Sequence, residues 1–240
     1  MYRLTQAPEL VDWAILSLHV TGEFTFETEH GPITTRRYSA HEPRAAVLLA
    51  HGAGAGQMHP FMMAAATAFT AAGFETVTFD FPYMEAGRRV PDPAATLEKT
   101  FANVAKECCA RWLNGGVPYF AGGKSMGGRI ASQASAHGLF DREPDGLVFL
   151  GYPLHPPGNT EKRRDEHLGK VKPPMLFVHG TRDPFGSAEE MQELVKGLKR
   201  ATLSLIEGGG HSFEAAQRDG GDRSVQAFEA AIAWMRDRIK

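Results

Sequence analysis

Cysteine is nearly absent from this chain: there are two in 240 residues, Cys108 and Cys109, adjacent within a stretch of helical pattern. Neighbouring residues cannot bridge each other without strain, so no disulfide framework is available, and a reducing compartment, the cytoplasm, is the expectation. The pair reads as two small helix-packing side chains. An excess of charge is lacking as well. With 26 basic and 28 acidic residues the formal net charge is -2, which leaves no global field to draw the chain to nucleic acid or to an anionic membrane. No run reaches the roughly 18 consecutive apolar residues of a membrane span, and no basic segment followed by an apolar one opens the sequence, so neither a span nor a signal peptide is expected. The spacings His-Glu-x-x-His and Cys-x-x-Cys are missing, and no metal or other cofactor is implied. There is no internal repeat and no low-complexity tract.

What is present is a globular composition, 42% apolar, sufficient for a substantial core at this length. One domain is expected over residues 21–240. Residues 1–20 do not join the pattern that follows and stand apart as a leader to which no function is assigned. Alternation over 24–29 and 33–38 predicts two antiparallel strands joined by the turn Glu29-His30-Gly31-Pro32. The character then changes. Residues 45–50, Ala-Ala-Val-Leu-Leu-Ala, form a continuous apolar run, as a strand covered on both faces requires.

Strand and helix patterns alternate from there to the end. A helix over 60–72 is closed by Gly73, and a strand follows at 75–79. A Pro- and Arg-containing loop is expected over 82–93, then a helix capped by Thr96 and stopped by Gly115-Gly116. Further strands are expected at 117–121, 146–151, 175–179 and 202–206, and further helices from Arg129, at 188–198 and at 224–239. An irregular polar stretch covers 155–172. Such alternation implies a doubly wound, mostly parallel α/β sheet with an antiparallel N-terminal edge.

The most informative motif is Gly123-Lys124-Ser125-Met126-Gly127, between an apolar strand and a helical stretch. Gly-x-Ser-x-Gly at a strand-to-helix junction makes a sharp turn that lifts the Ser hydroxyl above the sheet. The residues two positions to either side come close together and must be small. The helix that starts there points free amides toward negative charge developing beside the Ser. A hydroxyl is a weak nucleophile until a base takes its proton, and an imidazole base needs a carboxylate to fix its tautomer. Asp183 follows the 175–179 strand, and His211 follows the 202–206 strand within Gly208-Gly209-Gly210-His211. Asp80, at the end of another strand, competes with Asp183 for the acid's place, and His51 and His179 precede Gly at strand ends as buried turn residues do. For an oxyanion, the Met126 amide is one donor. His51-Gly52-Ala53-Gly54-Ala55-Gly56 offers the second, from Ala53 or, as the close alternative, Gly54.

These segments, with Phe81-Pro82-Tyr83-Met84 and His179-Gly180-Thr181-Arg182-Asp183-Pro184, resemble those of small Ser-type α/β-hydrolases. The chain is similar to the dienelactone-hydrolase-like branch, most of all to the hydrolases grouped with testis-expressed protein 30, over about residues 24 to 240. The resemblance implies an α/β-hydrolase fold with a minimal cap. It also implies hydrolysis of an ester or related acyl bond through Ser125, His211 and Asp183. Dienelactone hydrolases proper usually carry Cys where this chain has Ser125, and the resemblance does not name the substrate. Two other readings share the fold: acyl transfer to an acceptor other than water, and a binding scaffold whose triad is idle.

The expected partner is a small-molecule acyl substrate. Arg88, Arg89, Arg163 and Arg164 lie in the irregular segments that would overhang the site, where a guanidinium fork could take an anionic group; the competing reading is solvated loop charge. His155 and His167 are further candidate pocket residues. Gly123-Lys124-Ser125 also matches the end of a phosphate-binding P-loop, but that motif needs Gly where Pro118 stands. Gln57 and His59 occupy the positions where a dinucleotide motif would place its third Gly.

Overall fold

A strand that is apolar at every residue has no face to give to water, and β3 (Ala45–Ala50) is buried at every position. The computed structural model of the protein describes residues 20–113, 116–215 and 221–239. The expected leader and Gly115 of the expected helix stop lie outside the described residues, apart from Val20, which opens the first strand. The remaining strands are β1 (Val20–Thr28), β2 (Gly31–Tyr38), β4 (Phe74–Phe79), β5 (Tyr119–Lys124), β6 (Gly146–Leu150), β7 (Met175–Gly180) and β8 (Ala201–Ile206). They form one sheet in the order β1-β2-β4-β3-β5-β6-β7-β8. From β4 to β8 all neighbours are parallel, whereas β1 and β2 add an antiparallel edge.

The period of two along each strand sorts the core into two layers. Ala46, Leu48 and Ala50 of β3 face one layer with Leu147 and Phe149 of β6; Ala45, Val47 and Leu49 face the other with Val148 and Leu150. The first layer is closed by α3 (Ala94–Trp112), α4 (Met126–Ala136) and α5 (Ala188–Lys196), the second by α1 (Pro60–Ala71) and α6 (Ser224–Arg236). Each large side chain buried in these layers is worth about 1.5–3 kcal/mol. The helix α2 (Pro82–Glu85) is short, and between β6 and β7 the chain makes only the 3-10 turn Leu168–Lys170, so among the described residues no helical cap covers the sheet's carboxyl end.

Three local expectations change. Thr28 Oγ donates to the Gly31 carbonyl at 2.7 Å and accepts from the His30 amide at 3.1 Å, which closes the hairpin over Glu29 and His30 alone. Pro32 is therefore already in β2, opposite Glu27. Thr96 does not cap α3: Pro93, in extended conformation, precedes the helix, and the Thr96 amide bonds back to the Pro93 carbonyl at 3.0 Å inside the first turn. The elbow strand runs to Lys124 and the next helix starts at Met126, so Ser125 alone separates them. No helix among the described residues is long and apolar enough to cross a membrane.

Candidate active site

The chain leaves β3 for β4 on one side and returns to β5 on the other, so the loops after β3 and β5 part at the sheet's carboxyl end and open a crevice. Both Gly-rich segments of the sequence meet there. Ser125 sits between strand and helix at φ 50° and ψ -113°, a backbone state that costs a non-Gly residue about 1–3 kcal/mol. The surroundings enforce it. A Cβ on Gly123 would lie 2.1 Å from the Ala50 carbonyl oxygen, and one on Gly127 2.2 Å from the same atom. The Ser125 amide donates to the Leu150 carbonyl at 3.1 Å, and the Ser125 carbonyl accepts from the Arg129 amide at 3.1 Å. Strand, neighbour strand and helix thus hold the residue from three directions.

His211 reaches the same point from the loop after β8. Its Nε2 lies 2.8 Å from Ser125 Oγ and its Nδ1 2.7 Å from Asp183 Oδ2. Burial raises the Asp183 carboxyl. The hydrogen bond and charge of His211, the His179 ring and the Phe185 amide at 2.8 Å outweigh that, so its pKa falls below the ordinary value and it stays ionised. An ionised carboxylate can only accept, so Nδ1 of His211 carries the proton and Nε2 is left to accept from the Ser125 hydroxyl. The Phe185 ring lies against the imidazole, centroids 4.1 Å apart. From below, Lys124 Nζ donates to the His211 carbonyl at 2.8 Å and ties the loop to the elbow strand. Burial lowers the Lys124 pKa from 10.5 to about 8, against the opposing pull of Asp183 and Glu214.

Asp80 does different work. It accepts from the Gln57 amide at 2.7 Å and from Gln57 Nε2 at 3.1 Å, and so anchors the loop after β3. Buried His51 accepts from the Phe81 amide at 3.1 Å and donates to the Gly52 carbonyl at 2.8 Å, and burial lowers its pKa. Buried His179 donates to the Gly186 carbonyl at 2.8 Å and is lowered by the same cause.

The loop after β3 packs on the Ser: a Cβ on Gly52 would lie 3.7 Å from Ser125 Cβ. The Gly54 amide already donates to Tyr83 Oη at 3.3 Å. The Ala53 amide has no backbone partner among the described residues, and Met126, first in α4, has no carbonyl of its own helix to meet. Of the two amides read from the sequence for this loop, Ala53 is the one left unoccupied.

A cavity of about 540 Å³ opens over Ser125 and His211. Arg164, expected from the sequence, lines it. Arg88 and Arg89 are exposed, and neither lines it; Arg88 pairs with Asp92 at 2.8 Å. His155 is buried against Glu190 at 3.1 Å, Arg163 pairs with Asp165 at 2.5 Å, and His167 bonds Ser132 Oγ at 2.7 Å. Arg129, which no feature of the sequence marks as a site residue beyond its place in the elbow helix, lines the cavity one helical turn beyond Ser125. Its i+4 spacing from the Ser was the available signal.

Comparison with known proteins places this arrangement among described folds. A family model described as an alpha/beta hydrolase domain matches residues 43–240. Similar solved structures include a serine hydrolase without a lid from Xanthomonas campestris, 18% identical, with a TM-score of 0.69 over 90% of this chain and 94% of that one. A dienelactone hydrolase from Anabaena variabilis is 19% identical, with a TM-score of 0.71 over 91% of this chain and 99% of the other. Est1E from Butyrivibrio proteoclasticus is 15% identical, with a TM-score of 0.69 over 91% and 99%.

Proposed function

The chain belongs to the α/β-hydrolase family, and from that premise we propose that it is a serine hydrolase that cleaves an ester or related acyl bond of a small substrate through an acyl-enzyme. The observation that carries this reading is the hydrogen-bonded line from Ser125 Oγ through His211 to Asp183, with bonds of 2.8 and 2.7 Å.

In the reaction, His211 Nε2 takes the hydroxyl proton as Ser125 Oγ bonds to the acyl carbon. Asp183 holds the imidazole in its Nδ1-protonated tautomer and stabilises the imidazolium. The carbonyl oxygen becomes an oxyanion between the Met126 and Ala53 amides. Collapse of the tetrahedral species breaks the bond to the alcohol, which leaves with the proton from His211. Water then repeats the sequence on the acyl-enzyme: His211 takes its proton, the acid departs, and Ser125 regains its hydrogen.

The Ser at the elbow supports placement beside the dienelactone-hydrolase-like branch rather than within its Cys enzymes, and the motif segments support grouping with testis-expressed protein 30. Both cysteines are free thiols, in keeping with a cytoplasmic setting.

The test is labelling by a neutral fluorophosphonate together with turnover of a panel of p-nitrophenyl esters. Wild type is expected to label at Ser125 and to hydrolyse short-chain esters. Ser125→Ala is expected to lose labelling and about 10⁴-fold or more of kcat/KM. Turnover retained in that variant would remove Ser125 from the mechanism.

A further inference from the structure

The active-site cavity has two guanidinium groups on its wall, neither of them in an ion pair among the described residues. Arg129 and Arg164 both line it. Arg129 Nη1 donates to Gln133 Oε1 at 3.0 Å, while its Nε is buried with no partner. The side chain of Arg164 makes no hydrogen bond among the described residues; its main-chain amide and carbonyl are used by Leu154 and by Tyr152 Oη. Neither guanidinium has a carboxylate within ion-pair distance among the described residues. The neighbouring arginines differ in this respect, since Arg88 pairs with Asp92 and Arg163 with Asp165.

The two cations are also close enough to oppose each other. Burial lowers the Arg129 pKa and the charge of Arg164 adds to that push, while Tyr152 and the Glu98 carboxylate, itself bonded to His137, oppose it. The third cation on the wall, Lys124, is turned onto the His211 carbonyl, and the one carboxylate among the described lining residues, Asp92, gives Oδ1 to Arg88 while its Oδ2 is buried without a partner. Like charges placed together in a partly desolvated cavity are unfavourable until an anion arrives to face both. A guanidinium offers a planar fork of donors matched to the two oxygens of a carboxylate. The remaining wall is largely apolar, with Phe61, Met62, Leu97, Pro153 and Phe185, which suits the carbon chain joining such a group to the scissile bond.

We propose that Arg129 and Arg164 form a subsite for a carboxylate carried by the substrate, so that this hydrolase selects esters of acids or alcohols bearing a second, ionised acid group. The inference takes its reacting bond from the serine-hydrolase reading, while the charged subsite can be read separately by binding.

The experiment compares two matched pairs of esters that differ only in whether the remote acid is free or methylated. The first pair is the p-nitrophenyl monoester of glutarate and its methyl ester. The second is 4-carboxyphenyl butyrate and its methyl ester, with the charge on the leaving side. In at least one pair wild type is expected to favour the ionised ester by about tenfold or more in kcat/KM, with the preference shrinking as salt rises. Arg164→Met and Arg129→Met are each expected to bring that ratio toward one, and Arg164→Lys to keep part of it. The ratio is independent of how much of a variant folds, because both esters report on the same active molecules. Equal rates for both members of both pairs, or a preference that survives both Met variants, would overturn the subsite.

If no ester turns over and Ser125 stays unlabelled, the hydrolase reading fails on its own, and calorimetric titration with glutarate decides the subsite. Binding that Arg164→Met abolishes upholds it, and no binding to wild type removes it.

Discussion

The elbow around Ser125 and the wall from Pro153 to Arg164 border the same cavity and are held in opposite ways. At the elbow the constraint is main chain against main chain: the Gly123 and Gly127 positions abut the Ala50 carbonyl so closely that no side-chain carbon fits. On the wall the backbone is tied by single bonds. Tyr152 Oη donates to the Arg164 carbonyl at 2.7 Å, the Arg164 amide to the Leu154 carbonyl at 2.9 Å, and the His155 amide to the Phe185 carbonyl at 3.1 Å. Between them residues 157–163 are exposed. Geometry needed by the reaction is thus written in backbone, where a change of residue is punished at once. Chemistry that selects a substrate rests on side chains such as Arg164, which can be exchanged without moving the reacting atoms.

The largest expected effect tests the rigid half. In Gly127→Ala the new Cβ would sit 2.2 Å from the Ala50 oxygen and 2.8 Å from the His51 oxygen, both backbone atoms of the central strand and its exit. Neither can yield without displacing β3 or the loop that carries Ala53, so a loss of about 3–5 kcal/mol in urea unfolding is expected. A loss below about 1 kcal/mol would mean that the elbow relaxes, and the contrast with the wall would collapse.

Lys124 sharpens the comparison because it is the elbow's one titratable tie to the His211 loop. Its folded-state pKa of about 8 lies below the ordinary 10.5. Between those values the folded state binds fewer protons than the unfolded one, so stability rises with pH across about 8 to 10.5; the cost of the buried charge is complete below that window. A shift of this size corresponds to about 3 kcal/mol. Lys124→Met has no such group. Relative to that variant, wild type is expected to gain up to about that amount between pH 8 and 10.5, measured by urea midpoints at matched pH. Parallel stability profiles would mean that Lys124 reaches water and does not tie the loop as a buried cation.

The same division explains what could be read in the sequence. Glycines at 123 and 127 around Ser125 are forced by local sterics, so five consecutive residues suffice to reveal them. Asp183 and His211 follow strands whose apolar runs mark the sheet's carboxyl end, so their meeting near Ser125 needs only the order of a parallel sheet. Pairing among charged side chains is another matter. Arg88, Arg163 and Arg164 look alike in sequence, and only the folded positions of Asp92 and Asp165 decide which of them is neutralised. Arg129 was hidden by company: inside the elbow helix it reads as one more residue of a known motif, although its spacing from Ser125 points it back toward the site. The early start of α3 is hidden for a related reason, since Thr96 has the chemistry of a cap but Pro93 already supplies the extended residue that a helix start requires.

The smallest expected effect belongs to the wall. Gly158 is in a left-handed conformation, φ 74°, as the elbow's Ser125 is at 50°, yet a Cβ there would meet nothing within 4 Å. Gly158→Ala therefore isolates the price of the backbone angle from the price of a collision. The angle itself costs an Ala about 1–2 kcal/mol, and the stiffer unfolded chain returns about 0.4–1 kcal/mol. The net loss in urea unfolding is expected to be about 1 kcal/mol or less, with kcat/KM on a neutral ester within about twofold of wild type. A loss as large as that of Gly127→Ala would show that the exposed wall is as tightly determined as the elbow, and selection would then have to be built from the same rigid frame that positions Ser125.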